Sequence, residues 1–153
     1  MQAFPTSTEA AIRPQETSAF ISSLQILVVE DDEGVRRALV CILRRANHKV
    51  SCAVDGEEGW STLLTGHFDG MITDNDMPRL CGLDLLRRVR AIPSTMPVIL
   101  ISGSIPFEAP DLHVLLKPGL ALAKPFSGEV LLGHVSRIFA RSSTLSMNCI
   151  GVG

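Results

Sequence analysis

A short apolar run that stops at an acidic residue is the feature of this sequence that most restricts its fold. The run begins at Gly70, reaches Asp74, and is broken soon afterwards by Met77 and Pro78. A short apolar segment bounded by a turn signal predicts a buried strand. In open α/β sheets, ligands bind beyond the carboxyl ends of the strands. The sequence therefore places Asp74 at an edge of a sheet where chemistry is expected.

The rest of the chain alternates between strand and helix patterns. Apolar runs predict strands at 25–29, 49–54, 70–74, 98–101 and 120–123. A helical pattern follows each strand, and the expected N-caps include Asp32, Asp55, Asp111 and Ser127. Pro106 and Pro110 make a long fourth helix unfavourable. This alternation predicts an α/β fold with a parallel sheet that has helices on both faces.

Length and composition fit a single globular domain. The chain has 153 residues, of which 46% are hydrophobic and 20% are charged, which is ordinary for a soluble domain. We expect a disordered leader over residues 1–23, the folded domain over 24–141 and a flexible tail over 142–153. The stretch after Ala140 is too short for a DNA-binding module or an enzyme, which favours a stand-alone domain.

Charge, hydropathy and cysteine spacing exclude several functional classes. The net charge of -2 gives no basic footprint for nucleic acid, and no apolar run has the length of a membrane span. The cysteines are Cys41, Cys52, Cys81 and Cys149. Because they form no CxxC pair, a zinc site is disfavoured. We expect reduced, mostly buried thiols in a cytoplasmic protein.

Four predicted strands end in polar side chains that carry chemistry. Glu30 and Asp31 follow the first strand, Asp74 ends the third, Ser102 follows the fourth and Lys124 follows the fifth. These ends share one edge of a parallel sheet, so the side chains can converge. Crowded carboxylates repel each other, and a hard divalent cation, Mg²⁺ or else Mn²⁺, relieves that repulsion. With an ammonium and a hydroxyl nearby, Asp74 is suited to attack phosphorus.

At these residues the chain resembles the receiver domain of response regulators, of the CheY-like single-domain type. The motifs that carry the resemblance are Leu27-Val28-Val29-Glu30-Asp31-Asp32, Thr73-Asp74-Asn75-Asp76-Met77-Pro78 with Gly82, Ile101-Ser102-Gly103 and Lys124-Pro125-Phe126. The resemblance implies a flavodoxin-like fold, a doubly wound five-stranded parallel sheet in the order 2-1-3-4-5. It also implies a phosphoacceptor of a two-component or phosphorelay system that acts as a conformational switch.

The resemblance further implies which residues hold the metal and accept the phosphoryl group. Asp74 is the residue phosphorylated by a sensor histidine kinase or a histidine phosphotransfer protein. Glu30, Asp31 and Asp74 hold the metal, Glu30 through a water molecule. Asp76 adds its main-chain carbonyl as a further metal ligand.

Two residues are implied to contact the phosphoryl group itself. Ser102 binds it and Lys124 pairs with it, and the Lys124-Pro125 peptide bond is expected to be cis. No enzyme activity is implied beyond metal-dependent acceptance of the phosphoryl group and hydrolysis of the resulting aspartyl phosphate. The implied partners are the phosphoryl donor protein and a downstream protein target, with a homodimer left open.

Two positions depart from the usual receiver pattern. Receivers carry an aromatic residue three positions before the lysine, and this chain has Ala121 there. The switch that usually pairs this aromatic with the serine is therefore absent or rebuilt, with Phe107 as the candidate replacement. Asp76 is acidic where many receivers are neutral or apolar, so its side chain could repel the phosphoryl group or position a hydrolytic water.

Two alternative functions remain open at this point. One is a pseudo-receiver, a protein-interaction module that takes no phosphate, which Ala121 and the proline-broken fourth helix favour. The other is a phosphatase of the haloacid-dehalogenase type, whose DxD motif Asp74 and Asp76 match. The Met77-Pro78 sequence and the lack of room for a cap domain disfavour this enzyme.

Overall fold

The computed structural model describes residues 22–147 of the chain, and the side chains of residues 22–140. The strands are β1 (Gln25–Val29), β2 (Lys49–Ala53), β3 (Gly70–Asp74), β4 (Val98–Ser102) and β5 (Gly119–Ala123). The helices are α1 (Glu33–Arg45), α2 (Gly56–Thr65), α3 (Gly82–Ala91), α4 (Leu112–Leu115) and α5 (Gly128–Met147). The five strands pair in parallel in the order β2-β1-β3-β4-β5. The predicted flavodoxin-like sheet and its strand order are confirmed.

The domain boundaries predicted at residues 23 and 141 stay predictions, because the structure describes only part of the chain beyond them. Helix α5 continues to Met147, past the predicted end of the domain at residue 141. Residues 1–21, which make up nearly all of the predicted leader, lie outside the described residues, as do residues 148–153 of the predicted tail. Within residues 22–147, no helix is long and apolar enough to cross a bilayer.

Two apolar layers cover the two faces of the sheet. Every residue of β3 and β4 is buried, and alternate strand residues point to opposite faces. One layer packs the sheet against α2, α3 and α4, and includes Leu27, Val29, Met71, Leu85, Leu100 and Leu112. The other packs it against α1 and α5, and includes Val28, Leu43, Ile72, Ile99, Val135 and Phe139. Because both faces are covered, the carboxyl-terminal edge of the sheet is left as the place for polar groups.

Side-chain caps start most of the helices where the sequence predicts them. Asp32 accepts a hydrogen bond from the Val35 amide at 2.8 Å, and the Ser127 hydroxyl accepts one from the Val130 amide at 3.2 Å. Asp55 likewise accepts from the Glu58 amide at 2.9 Å. Each of these bonds satisfies an amide that has no partner inside its helix.

The predicted cap of the fourth helix is wrong. Asp111 makes no side-chain hydrogen bond to the amides of α4. Its carboxylate instead accepts two hydrogen bonds from the Arg87 guanidinium of α3, at 2.7 and 2.9 Å. A charge-assisted bidentate pair is stronger than a single bond to an amide, so Arg87 takes the carboxylate and ties the start of α4 to α3.

The prediction of mostly buried cysteines is also wrong for the described residues. Cys41 on α1 and Cys52 on β2 are exposed, and Cys81 is partly buried, all three as free thiols. Strand β2 lies at the edge of the sheet, so Cys52 has a neighbouring strand on one side only. Cys149 lies outside the described residues.

Gly70 gives a test of how tightly β3 is packed. A Cβ atom at this position would lie 2.5 Å from ring carbons of the buried Phe139. We expect Gly70→Ala to lower the free energy of unfolding by about 1–3 kcal/mol because of overpacking, measured by urea denaturation. The control is Gly133→Ala in α5, where an added Cβ meets nothing within 4 Å. That variant should be more stable by up to about 1 kcal/mol because alanine favours the helix, and equal stability of the two variants would contradict the prediction.

Candidate functional site

The strand ends bring the predicted site residues to one edge of the sheet. Asp74, the last residue of β3, pairs with Ile101 of β4. Ser102 pairs with Ala123 of β5, so Lys124 follows directly after that pair. The parallel register therefore brings three strand ends level with one another, as the sequence predicts.

An ion-pair cluster joins the ends of β1, β3 and β5. The Lys124 ammonium lies 2.9 Å from Asp74 Oδ1 and 3.3 Å from Glu30 Oε2. Glu30 and Asp74 are buried, with exposed fractions of 1% and 2%. Two buried carboxylates so close to each other need a cation to remain ionised, and Lys124 supplies one positive charge.

Three carboxylates form a group with the spacing of a metal site. Glu30, Asp31 and Asp74 each offer one oxygen atom within 4.8 Å of the others. Asp74 Oδ1 is fully buried and has no directed hydrogen bond from the described residues, although the Lys124 ammonium is near it. Buried polar atoms in native proteins nearly always have a partner. All the donors of this group are hard oxygen atoms, which fit Mg²⁺ or Mn²⁺.

The local environment shifts the pKa values of Glu30 and Lys124. Burial, and next the charge of Asp74, raise the pKa of Glu30 above its ordinary value. Burial opposes the charged form of Lys124, but its contacts with Asp74 and Glu30 outweigh that effect and raise the pKa of the ammonium. Lys124 is therefore held in its cationic form, while the charge of Glu30 costs free energy.

Arg36 holds the loop that contains Glu30 and Asp31 through hydrogen bonds to its main chain. The sequence analysis did not predict this role. Its guanidinium donates hydrogen bonds to the main-chain oxygens of Glu30 at 2.8 Å and of Asp31 at 3.2 Å. The Asp32 amide donates to Glu30 Oε1 at 3.2 Å. The sequence does contain one indication of the Arg36 contact. Arg36 lies one helical turn after the Asp32 N-cap, and side chains of a helix point toward its N-terminus, so Arg36 can reach the loop.

Ser102 and Asp76 are brought together on the other side of the site. Ser102 is fully buried, and its hydroxyl lies 2.9 Å from Asp76 Oδ2 and 2.7 Å from the main-chain oxygen of Ser104. The Gly103 amide also donates to Asp76 Oδ2, at 3.3 Å. The side chain of Asp76 thus faces the end of β4. That the main-chain carbonyl of Asp76 binds the metal stays a prediction.

Phe107 does not take the place of the missing aromatic residue near the lysine in this structure. Ala121 is partly buried and packs against the layer that contains α3 and α4. The side chain of Phe107 is 78% exposed, so it does not fill the space beside Ala121. The prediction that Phe107 rebuilds the switch has no support in this conformation. The Lys124-Pro125 bond is cis, as predicted.

Comparison with known proteins shows which family the chain belongs to. The family model described as "Response regulator receiver domain" matches residues 26–136. The match covers the five strands, except for the first residue of β1, and every site residue described above. The chain belongs to this family. Family membership and the cluster around Asp74 together support the predicted phosphoacceptor role in two-component signalling.

Individual relatives of this receiver domain are moderately similar in sequence. The transcriptional regulatory protein DltR of Streptococcus agalactiae is 28% identical over 130 residues, which cover 85% of this chain and 58% of DltR. The response regulator ArlR of Staphylococcus aureus is 33% identical over 119 residues, which cover 76% of this chain and 53% of ArlR. The chain thus spans little more than half the length of these curated relatives.

A solved structure agrees with the fold. The receiver domain of the Francisella response regulator 1452 matches with a TM-score of 0.71 and 26% identity, over 78% of this chain and 99% of that one. The match spans nearly all of that receiver domain, which supports the receiver fold of this chain.

The raised pKa of Glu30 gives a prediction for the stability of the receiver domain without metal. Between the ordinary value of 4.5 and the raised value, the folded state binds more protons than the unfolded state. Stability therefore falls as pH rises through this window. Glu30→Gln removes the titrating group. The free energy of unfolding of the wild type and of Glu30→Gln is measured by urea denaturation in the presence of a chelator. We expect the value of the wild type, relative to that of Glu30→Gln, to decrease from acid toward neutral pH.

The matched control replaces an acidic residue on the surface. Glu108 is exposed in the loop between β4 and α4, so Glu108→Gln should leave the pH profile close to that of the wild type. A wild type that gains stability relative to Glu30→Gln as pH rises would show that Glu30 is stabilised in its charged form.

Proposed function

We propose that this receiver domain accepts a phosphoryl group on Asp74 from a phosphohistidine of a sensor histidine kinase or a histidine phosphotransfer protein. The observation that carries the proposal is the state of the Asp74 carboxylate. It is buried, its Oδ1 lies 2.9 Å from the Lys124 ammonium, and it belongs to the same carboxylate group as Glu30 and Asp31. A carboxylate can act as a nucleophile toward phosphorus, and the adjacent cation attracts an anionic phosphoryl group.

The acidic residues of the site would hold the divalent cation. Glu30, Asp31 and Asp74 supply carboxylate oxygens, and the main-chain carbonyl of Asp76 is the fourth proposed ligand. When bound, Mg²⁺ or Mn²⁺ neutralises charge on the phosphoryl oxygens and fixes their orientation. Arg36 fixes the main chain of Glu30 and Asp31 in place, so this loop does not have to be ordered when the cation arrives.

The transfer step uses groups of this chain on both sides of the phosphorus. A carboxylate oxygen of Asp74 forms the new bond to phosphorus as the bond from phosphorus to the donor imidazole nitrogen breaks. The electron pair of the broken bond stays on the imidazole, which leaves as histidine. Lys124 stabilises negative charge on the phosphoryl oxygens, and Ser102 can donate its hydroxyl proton to one of them. Hydrolysis of the aspartyl phosphate would return the chain to its starting state and is the only catalysis we propose.

The output of the phosphorylated chain is proposed to be a protein contact. The net charge is -2, which does not favour nucleic acid as a partner of these residues, and we propose a downstream protein target, with a homodimer as a possible active form. The curated relatives are longer than the matched region, so their names do not decide the output of this chain. A cytoplasmic location is proposed because phosphohistidine donors of two-component systems act there.

Replacing the proposed phosphoacceptor tests the proposal directly. We expect Asp74→Asn to abolish labelling by acetyl phosphate and Mg²⁺, because an amide is not a nucleophile toward phosphorus, while the fold persists. Intact-protein mass spectrometry measures the added phosphoryl group, and circular dichroism measures the fold. Asp111→Asn serves as the control because Asp111 pairs with Arg87 away from the site, and it should be labelled like the wild type. Labelling of Asp74→Asn would place the acceptor elsewhere, and an unlabelled wild type would favour the pseudo-receiver.

Lys124 is expected to link phosphorylation to a change of conformation. Lys124→Ala should keep part of the labelling but lose the conformational response, because the ammonium that pulls on the phosphoryl group is gone. Without metal, the same variant should lose about 1–3 kcal/mol of stability, since two buried carboxylates lose their partner. The response is measured as amide shift changes in β4 and β5 on adding beryllofluoride, an analogue of the bound phosphoryl group. The matched control is Lys117→Ala, an exposed lysine, and a full response in Lys124→Ala would remove Lys124 from the switch.

A further inference from the structure

The carboxylate of Asp76 accepts hydrogen bonds from two donors at the end of β4. Its Oδ2 atom lies 2.9 Å from the Ser102 hydroxyl and 3.3 Å from the Gly103 amide nitrogen. The two donors come from adjacent residues and converge on the same oxygen atom. A pair of donors aimed at one carboxylate oxygen is an anion-binding arrangement. In this structure the anion bound by the two donors is the carboxylate of Asp76.

The Ser102 hydroxyl can serve only one acceptor at a time. It has a single proton, and that proton can point to Asp76 Oδ2 or to the main-chain oxygen of Ser104, 2.7 Å away. The Ser104 amide donates to the Ser102 oxygen at 3.1 Å, which holds the hydroxyl in place. Ser102 is fully buried, and Asp76 is exposed. The donors are therefore fixed, while their acceptor can turn out into solvent.

A phosphoryl oxygen is an anionic acceptor of the same kind as a carboxylate oxygen. If Asp74 carries a phosphoryl group, as proposed above, one of its oxygens needs the hydroxyl of Ser102. Two anionic oxygens cannot share that proton and would repel each other at this distance. We propose that the Asp76 carboxylate is an internal competitor, which occupies the Ser102 and Gly103 donors in the unphosphorylated chain and must swing out when the phosphoryl group binds.

This competition would make Asp76 a residue that sets how strongly the site holds a phosphoryl group. The wild type must break the two hydrogen bonds of Asp76 before the phosphoryl group can use the same donors. Without the carboxylate, the Ser102 hydroxyl keeps only the neutral main-chain oxygen of Ser104 as an acceptor, and neither donor has to leave a charged group. The effect acts through Ser102 and Gly103, so Asp76 is a positioning residue whose contribution depends on those donors.

The first experiment measures the affinity for beryllofluoride at saturating Mg²⁺, with the whole chain and with ¹⁹F NMR as the readout. We expect Asp76→Ala to bind the analogue roughly tenfold more tightly, the effect of freeing donors from a charged partner. Asp76→Asn should gain less, because its amide oxygen still accepts hydrogen bonds as a weaker, neutral group. Glu108→Gln removes one negative charge from the surface of the loop after β4 and should bind like the wild type.

The second experiment separates competition for donors from simple charge repulsion. In a Ser102→Ala background one of the contested donors is gone, so the gain from Asp76→Ala should fall to about threefold or less. An undiminished tenfold gain in that background would mean that Asp76 acts by repulsion alone, and the proposal would be wrong. Equal or weaker binding by Asp76→Ala in the otherwise wild-type chain would also overturn it.

A ligand-free measurement tests the contact itself, whatever the affinities. The Gly103 amide proton should shift upfield in Asp76→Ala because it loses a charged acceptor, while Glu108→Gln leaves it in place. An unchanged Gly103 amide would refute the competition. Failure of the proposed function looks different: the wild type and all variants would then bind no beryllofluoride, even where the Gly103 shift is seen, and the competition would have no phosphoryl group to act on.

Discussion

The structure at the sheet edge depends on one ammonium group held between two buried carboxylates. Lys124 contacts Asp74 and Glu30, and burial makes the charge of each carboxylate costly unless it is compensated. Asp31 adds a third carboxylate to the group. Arg36 does not neutralise them, because its hydrogen bonds go to main-chain oxygens. Three carboxylates against one ammonium leave an excess of negative charge that a divalent cation matches, which is why the site suits metal-assisted phosphoryl transfer.

The charged side chains of this cluster are held in place because the buried strands that precede them are fixed by the packing of the sheet. β3 lies in the middle of the sheet and is buried along its whole length, so Asp74 has no freedom to move away from its neighbours. Helix α3 begins against the same point, where a Cβ at Gly82 would meet Leu100 Cδ1 at 2.8 Å. Asn75, next to Asp74, accepts a hydrogen bond from the Leu83 amide at 3.1 Å. The start of α3 is therefore fixed by the residue that follows Asp74.

The fold and the carboxylate cluster could be predicted because their signals are local in the sequence. Each apolar run ends where its strand ends, and parallel pairing then brings the ends of distant strands to one edge. The contacts of Asp76 with Ser102, and of Asp111 with Arg87, could not be predicted in this way. They join side chains 26 and 24 positions apart, and they depend on the paths of two loops that no periodic pattern describes. Cys52 was misjudged for a related reason, since its residue type says nothing about its place on an edge strand.

The loop between β4 and α4 follows directly after Ser102 and connects the candidate site to the short helix α4. An alanine has no side chain beyond Cβ to rotate, so Ala121 cannot transmit a displacement of Ser102 in the way that a large ring does. The loop between β4 and α4 has apolar contacts of its own: Ile105 and Ala109 pack against the layer that contains Leu112 of α4. Arg87 and Asp111 anchor the far end of that loop to α3. These contacts connect the loop that follows Ser102 to α4 and α3.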